Sequence, residues 1–191
     1  MPRPRGFDET EVLRAAMMVF WRDGYDATTY RALEAETGVG VRSMHNTFGE
    51  KDRLFVRVLQ LYRGQAEEVV NGAFATPGLA AIAGFFDAMA TAQSDAGDVS
   101  AAGCLMVNTV FELGEMPEEI AAEVAAYRAM WRDAFARSLE ADGVDRQEER
   151  AEFLLGSLWG MLSQIRLARD VAAAAPMARI VSDTVRGWQA G

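Results

Sequence analysis

Cysteine is nearly absent from this sequence, which contains a single one, Cys104, among 191 residues. One cysteine cannot form a disulfide within the chain, so a disulfide-stapled fold is excluded and a reducing compartment is favoured. Proline is also scarce, with five residues, and long helices can therefore run without interruption. The chain has little of the alternation of valine, isoleucine and threonine with polar residues that is typical of strands. Together these shortages predict an all-α fold.

The residues from which metal and catalytic sites are commonly built are missing too. The sequence has one histidine, His45, and no cluster of histidine and cysteine with the spacing of metal ligands. Neither a nucleophile paired with a base nor a glycine-rich phosphate loop can be recognised. No apolar run reaches the roughly 18 residues that span a bilayer, and the first residues lack the apolar core of a signal peptide. We therefore expect a cytoplasmic protein with no metal site, cofactor, membrane contact or enzymatic activity.

Negative charge is distributed unevenly along the chain, whose formal net charge is −9. Residues 1–63 hold ten basic and nine acidic side chains, whereas residues 64–191 hold nine basic and nineteen acidic ones. The first segment is therefore near neutral at +1 and the second is acidic at −10. This arrangement is compatible with nucleic-acid binding through the first segment, but without strong affinity for DNA of any sequence.

Residues 28–48 have the pattern of two short helices joined by a tight turn. Thr28 or Thr29 can cap the first helix, because a threonine hydroxyl accepts a hydrogen bond from an otherwise unpaired backbone N–H. Gly38 lies where the chain must reverse, and glycine adopts a left-handed conformation there without steric cost.

The second of these helices is amphipathic over a very short length. Met44 and Phe48 are four residues apart and share one face, while the opposite face carries Arg42, Ser43, His45 and Asn46. A helix with an apolar back and a polar front is what a helix-turn-helix places in the DNA major groove. An ordinary helical hairpin without a nucleic-acid role has the same pattern, so this alternative stays open on the residues alone.

The wider run from Asp8 to Tyr62 resembles the DNA-binding domain of the tetracycline-repressor (TetR) family of bacterial regulators. The residues that carry the resemblance are Phe20, Gly24, Tyr25, Thr37, Gly38, Val39, Phe48, Gly49, Glu50, Lys51, Leu54 and Phe55. The resemblance implies a three-helix DNA-binding domain over residues 1–50, whose DNA contacts we predict to be Thr28, Thr29, Tyr30, Arg42, Ser43, His45, Asn46, Thr47 and Lys51.

Two residues depart from the family pattern within the motif. Glu34 stands where the family usually has an alanine at a close helix contact, so it must tip outward or force the helices apart. His45 stands where the family usually has a tyrosine that contacts phosphate, and we interpret it as a DNA contact, with a solvated residue as the alternative. Arg3 and Arg5 precede the domain in an arm that can lie on DNA or be a solvated tail.

The remainder of the chain predicts six further helices. Their apolar periodicity and their glycine and proline boundaries place them at about residues 51–74, 79–93, 103–114, 117–139, 146–169 and 177–188. The first of these has Leu54, Phe55, Val58, Leu61, Tyr62 and Val69 on its predicted inward face. The resemblance implies that residues 51–191 form a ligand-binding and dimerisation domain, with helix 51–74 shared between the two domains.

The last two helices are candidates for a dimer interface. Residues 153–165 are apolar on nearly every side, and a helix of this kind needs partners on every side. Gly156 and Gly160 are spaced to allow close helix approach. In the family that the sequence resembles, the final two helices of each subunit form a four-helix dimer bundle. We therefore predict interface positions at Leu155, Leu158, Trp159, Leu162, Arg166, Val181 and Val185.

The resemblance also implies a ligand pocket in the second domain. Candidate residues come from its aromatic, methionine-rich and isolated polar positions: Phe86, Met89, Cys104, Met106, Asn108, Phe111, Glu112, Trp131, Trp159 and Gln164. Filling of an ordinary core is the alternative for each of them. Cys104 begins an apolar helix, a position that favours thiol reactivity, so a sensor of oxidants or electrophiles is an alternative to an inert buried cysteine.

These observations favour a ligand-responsive DNA-binding regulator. Because one helix-turn-helix reads too few base pairs, we expect a homodimer on a palindromic double-stranded DNA operator, with half-sites about 34 Å apart. A repressor released by an unidentified small-molecule inducer is favoured. The alternative is a cytosolic helical-bundle small-molecule-binding protein or enzyme in which the motif is scaffold only.

Overall fold

The computed structural model describes residues 7–95 and 99–188, and Arg3 and Arg5 lie outside these ranges. The regular structure of the described residues is entirely helical, as the sequence predicts. The helices are α1 Glu9–Asp23, α2 Tyr30–Thr37, α3 Val41–Phe48, α4 Lys51–Ala73, α5 Leu79–Thr91, α6 Leu105–Glu112, α7 Glu118–Ala141, α8 Gln147–Ala168 and α9 Ala175–Arg186. Two single 3₁₀ turns at Val99–Ala102 and Val171–Ala174 were not predicted.

The first helix begins and ends where its sequence dictates. The Asp8 carboxylate accepts hydrogen bonds from the backbone N–H groups of Thr10 (2.7 Å) and Glu11 (3.3 Å), which no helical carbonyl can reach. At the other end Gly24 has φ +89° and its N–H bonds to the carbonyl of Phe20. A residue with a Cβ is strained in that conformation, so the helix stops here.

The helices enclose one continuous apolar core. We call α1–α3 the head and α5–α9 the body; α4 lies between them and packs on α1 in the head and on α7 in the body. The core of the head is aromatic, with the Phe20 and Phe55 ring centroids 4.7 Å apart. In the body, α5 packs most extensively on α9, and α7 on α8.

One predicted inward position on α4 is wrong. Val69 is 53% exposed, whereas Leu59 and Val70 are buried. Positions 69 and 70 are both valines, so the apolar pattern cannot tell which of the two faces inward. Within the described ranges no helix combines the length and apolar character needed to cross a membrane.

Candidate DNA interface and the regions behind it

The turn between α2 and α3 is built as the sequence predicts. The Thr29 hydroxyl accepts a hydrogen bond from the N–H of Ala32 at 3.2 Å, so Thr29 is the helix cap. Gly38 has φ +68°, ψ 5°, the left-handed conformation that ends α2. Thr28 is instead buried and donates its hydroxyl to the carbonyl of Gly24 at 2.6 Å. The predicted DNA contact at Thr28 is therefore wrong, because its side chain is enclosed by the α1–α2 turn.

The α3 helix presents the expected polar front. Met44 and Phe48 are buried against the head's core, and Arg42, Ser43 and Asn46 are exposed on the opposite side. Thr47 is half-buried at the edge of this surface. We call Arg42, Ser43 and Asn46 the α3 front; it offers a guanidinium, a hydroxyl and an amide, the groups that read base edges in a major groove.

His45 lies beside the α3 front, supported by α2. Its ring stacks on Tyr30 with centroids 3.9 Å apart, and its Nδ1 is 3.8 Å from a carboxylate oxygen of Glu50. The Tyr30 hydroxyl donates to the carbonyl of Gly49 at 2.6 Å, and burial raises the pKa of this phenol above its ordinary value. Tyr30 therefore stays protonated and ties α2 to the turn before α4, while its ring fixes the orientation of His45.

Lys51 is held at the first turn of α4. Its ammonium lies 4.2 Å from the centroid of the Tyr25 ring and 3.4 Å from the carbonyl oxygen of Asp26. Contact with a phosphate would compete with these two interactions. Glu34, the other departure from the family pattern, tips outward: it is exposed, and a Cβ at Gly40 would lie 3.5 Å from its carboxylate.

Polar contacts connect the head to the body, and we call each of them a joint. The Trp21 indole N–H donates to the carbonyl of Gly103 at 3.0 Å. The Glu112 carboxylate accepts the backbone N–H groups of Tyr25 at 2.9 Å and Asp26 at 2.8 Å. A Cβ on Gly24 would lie 2.7 Å from both carboxylate oxygens of Glu112, so only glycine leaves room for this joint.

Among the residues that the structure describes, the predicted ligand residues do not gather around one cavity. Glu112 is used in the joint to the head, Phe111 is 72% exposed, and Gln164 is exposed on α8. Trp159 is half-buried on α8, outside the hollows described below. The candidates that lie buried in the core are Phe86, Cys104, Met106, Asn108 and Trp131.

Cys104 and Asn108 have partners within the protein. The Cys104 sulfur is 3.4 Å from the Tyr127 hydroxyl, and the residue is 1% exposed. Asn108 donates its amide to the carbonyl of Ala102 at 2.9 Å. Met89 and the buried Trp131 line separate hollows on the two sides of Val69.

Four of the predicted dimer positions lie inside the protomer. Leu155, Leu158, Val181 and Val185 are each no more than 3% exposed, because α8 and α9 turn these faces toward α5 and α7. These four predictions are corrected: such side chains cannot reach a partner without unfolding. Leu162, Trp159 and Arg166 are half-buried.

A different apolar surface of α8 and α9 is open to solvent. We call it the α8–α9 stripe; its large apolar members are Phe153, Leu167, Met177 and Ile180. Their spacing, with Gly156 and Gln164 between those on α8, follows one helical face. The sequence contains these exposed apolar residues, but on a helix that is apolar on nearly every side the pattern does not distinguish them from the buried ones. Trp21, an aromatic residue beside the apolar face of α1, was the other residue missed.

Comparison with known proteins places these features in context. The model of the family described as "Bacterial regulatory proteins, tetR family" matches residues 12–58. The chain is 29% identical to the HTH-type transcriptional repressor ComR of Escherichia coli (strain K12), over 97% of this chain and 91% of ComR.

Solved structures have the same fold. A cysteine-substituted mutant of the TetR family transcriptional regulator CifR, complexed with 26-base-pair double-strand operator DNA, is 26% identical with a TM-score of 0.76, over 97% of this chain and 99% of that one. A TetR-family transcriptional regulator from Streptomyces coelicolor is 18% identical with a TM-score of 0.80, over 92% of each chain.

Proposed function

Because this chain belongs to the TetR family of bacterial regulatory proteins, we propose that it is a dimeric transcriptional repressor. It binds a palindromic operator in double-stranded DNA and is released by a small molecule. The observation that carries the proposal is the α3 front, where Arg42, Ser43 and Asn46 are exposed on a helix anchored from behind by Met44 and Phe48. The relatives support it, since ComR is named a repressor and CifR was solved on operator DNA.

The proposed DNA contacts fall into two kinds, those that read base edges and those that meet phosphates. Arg42, Ser43 and Asn46 read base edges, while Thr29, at the exposed start of α2, and Lys51, at the start of α4, meet phosphates. Tyr30, His45 and Thr47 are half-buried and border the same surface. Tyr30 and His45 hold each other in place by stacking. Each of them would therefore contact DNA through the outer edge of its ring.

We assign the dimer contact to the α8–α9 stripe. Exposed apolar residues that recur along one face of two adjacent helices need cover in water, and a second copy of the same pair provides it. Gly156 has no atom within 4 Å of where a Cβ would lie, so a partner helix can approach closely there. Gln164 falls in this stripe and would then face the partner subunit.

We also propose that the two regions have separate roles. The head, residues 1–50, binds DNA, and residues 51–191 bind the effector and dimerise, with α4 shared. We place the protein in the cytoplasm, where its DNA is, and assign it no catalytic reaction. Cys104 has a core role in this proposal, because its sulfur is enclosed and paired with a tyrosine hydroxyl.

Selection from a random duplex library, followed by fluorescence anisotropy, tests DNA binding directly. We expect enrichment of a palindrome with half-sites about one helical turn, or a multiple of it, apart. Arg42→Ala with Asn46→Ala should abolish the preference for that palindrome. If the wild-type protein enriches no sequence, the motif is scaffold only and the alternative of a small-molecule-binding protein gains.

Sedimentation tests the dimer. Ile180→Glu places a charge on the α8–α9 stripe and should give folded monomers, because a buried unpaired charge is costly in an interface. Met18→Glu is the matched control, since Met18 is an exposed apolar residue of α1. If Ile180→Glu remains as dimeric as Met18→Glu, the contact lies elsewhere.

A further inference from the structure

Two hollows run along α4 and meet at one residue. The larger, of about 600 Å³, lies between α4 and α5 and is floored by Phe85 and Met89. The smaller, of about 250 Å³, lies between α1, α4 and α7 and is lined by Trp21 and Trp131 among others. Val69 belongs to both. We call the two hollows together the α4 groove. Its volume is in the range of small-molecule sites, which are usually about 300–1,000 Å³.

The groove has an aromatic floor that passes from one hollow to the other. Trp131 and Phe85 have ring centroids 5.0 Å apart and belong to different hollows. At the other end Trp21 packs edge-on against Tyr62 at 5.0 Å. The faces and edges of these rings suit a flat aromatic guest, because aromatic pairs are more favourable than their buried area alone implies.

No residue lining either hollow in the described chain carries a charge. The polar groups of the smaller hollow are the Gln65 amide and two phenols, Tyr62 and Tyr127. Burial, reinforced by the neighbouring Cys104, raises the pKa of both phenols well above the ordinary tyrosine value, so they remain neutral. A charged guest would lose its hydration without gaining a counter-charge.

The groove touches the head as well as the body. Trp21 belongs to α1, and its N–H forms the joint with Gly103 just before α6. A guest against Trp21 therefore contacts the side chain that ties the head to the body. Val69, exposed at 53%, is the wall over which a guest would extend from one hollow into the other.

From these observations, and resting on the proposed function, we propose that the α4 groove is the effector site and that it takes an uncharged aromatic compound. Occupation shifts Trp21 and with it the head, and this lowers affinity for the operator.

Gly84 offers a way to fill the groove without disturbing the fold. It lines the larger hollow, it lies within α5, and a Cβ there meets no atom within 4 Å. Gly84→Leu therefore occupies the hollow and also removes an unfavourable helical glycine. Gly64→Leu is the matched control, since Gly64 is an exposed helical glycine on α4 with the same open space, and it lines neither hollow.

The binding experiment uses two fluorescent probes with one ring system and needs no DNA. N-phenyl-1-naphthylamine is uncharged, and 8-anilinonaphthalene-1-sulfonate adds one sulfonate. We expect the wild-type protein and Gly64→Leu to bind the uncharged probe alike, Gly84→Leu to bind it at least about ten-fold more weakly, and the sulfonate to bind the wild type about ten-fold more weakly. Equal binding by the two leucine variants, or equal binding of the two probes, would overturn the proposal.

The release experiment separates this proposal from the proposed function. Operator bound to the wild type should be released by the uncharged probe, and operator bound to Gly84→Leu should need about ten-fold more. Probe binding in the groove without release shows that the groove is not the effector site. Failure of the wild type to bind any operator would contradict the proposed function. The probe titrations would still decide whether the groove binds uncharged aromatic compounds.

Discussion

The head and the body place opposite kinds of side chain at the surfaces on which their proposed roles depend. The head exposes the polar groups of Arg42 and Asn46 and buries Met44 behind them. The body leaves apolar side chains open, in the α4 groove and in the α8–α9 stripe, for instance at Ile180. A hydrated polar surface selects its partner by directed hydrogen bonds, whereas an apolar surface selects by shape and exclusion of water. We therefore expect substitutions in the head to act mainly on DNA binding and substitutions inside the body to act mainly on stability.

The largest effect is expected inside the body. Leu158 is 2% exposed, so Leu158→Glu buries an unpaired charge and should reduce the free energy of unfolding by more than about 4 kcal/mol. Ile180, at 67% exposure, should tolerate the same change in the protomer. Urea unfolding of both variants, compared under conditions where both are monomeric, measures the difference. Similar unfolding free energies would mean that α8 is oriented differently.

The head should respond to substitution with a loss of binding and not of stability. Arg42→Ala should weaken operator binding by about 1–3 kcal/mol and relax preference at one base pair per half-site, because arginine pairs with guanine bidentately. Its unfolding free energy should change by less than about 0.5 kcal/mol.

Lys51→Ala is the comparison for Arg42→Ala. Loss of a lysine that meets phosphate should weaken binding to all sequences alike and reduce the salt slope by about one unit per subunit. Anisotropy on operator and scrambled DNA across a salt series measures both variants. Equal losses on the two DNAs for Arg42→Ala would make Arg42 a phosphate contact and move base reading to its neighbours.

The joint between the regions should give an intermediate effect on stability. Glu112→Ala removes the acceptor of two backbone N–H groups of the head, and water can replace it only in part. We expect a loss of about 1–2 kcal/mol and faster hydrogen exchange at Tyr25 and Asp26. Glu115→Ala, at an exposed position in the next turn of chain, is the control. Unchanged exchange in Glu112→Ala would mean that the joint does not hold the head.

The smallest effect tests a polar contact within the apolar body. Hydrogen bonds from Arg186 and Ser182 lower the pKa of Asp87 below its ordinary value of 3.8. A carboxyl whose pKa is lower in the folded state stabilises the fold above its unfolded value and loses that contribution as pH falls through the folded one. The effect should be small and weakened by salt, because the pair is exposed. Between pH 5 and about 2, the free energy of unfolding should depend less on pH in Arg186→Gln than in the wild type. Identical pH profiles of the two proteins would mean that this contact does not contribute to stability.

The helices and the motif were predictable because their signals are local. The Asp8 and Thr29 caps act on backbone groups two or three residues away, and Gly38 ends α2 through its own φ angle. The separation of Arg42 from Met44 on α3 follows from the helical period alone. Each of these interactions is completed within one or two turns of chain, so no knowledge of the rest of the fold is needed.

The sequence by itself therefore determined the all-α class, the number and approximate ends of the helices, and the polar front of α3. Only the tertiary structure decided which apolar face of α8 is buried, that Glu112 serves the head 87 residues away at Tyr25, and that Val69 borders a groove. The reason is physical: a helix that is apolar on several sides carries no internal sign of which side meets a neighbour. A carboxylate likewise accepts whichever N–H groups the packing of distant helices brings to it.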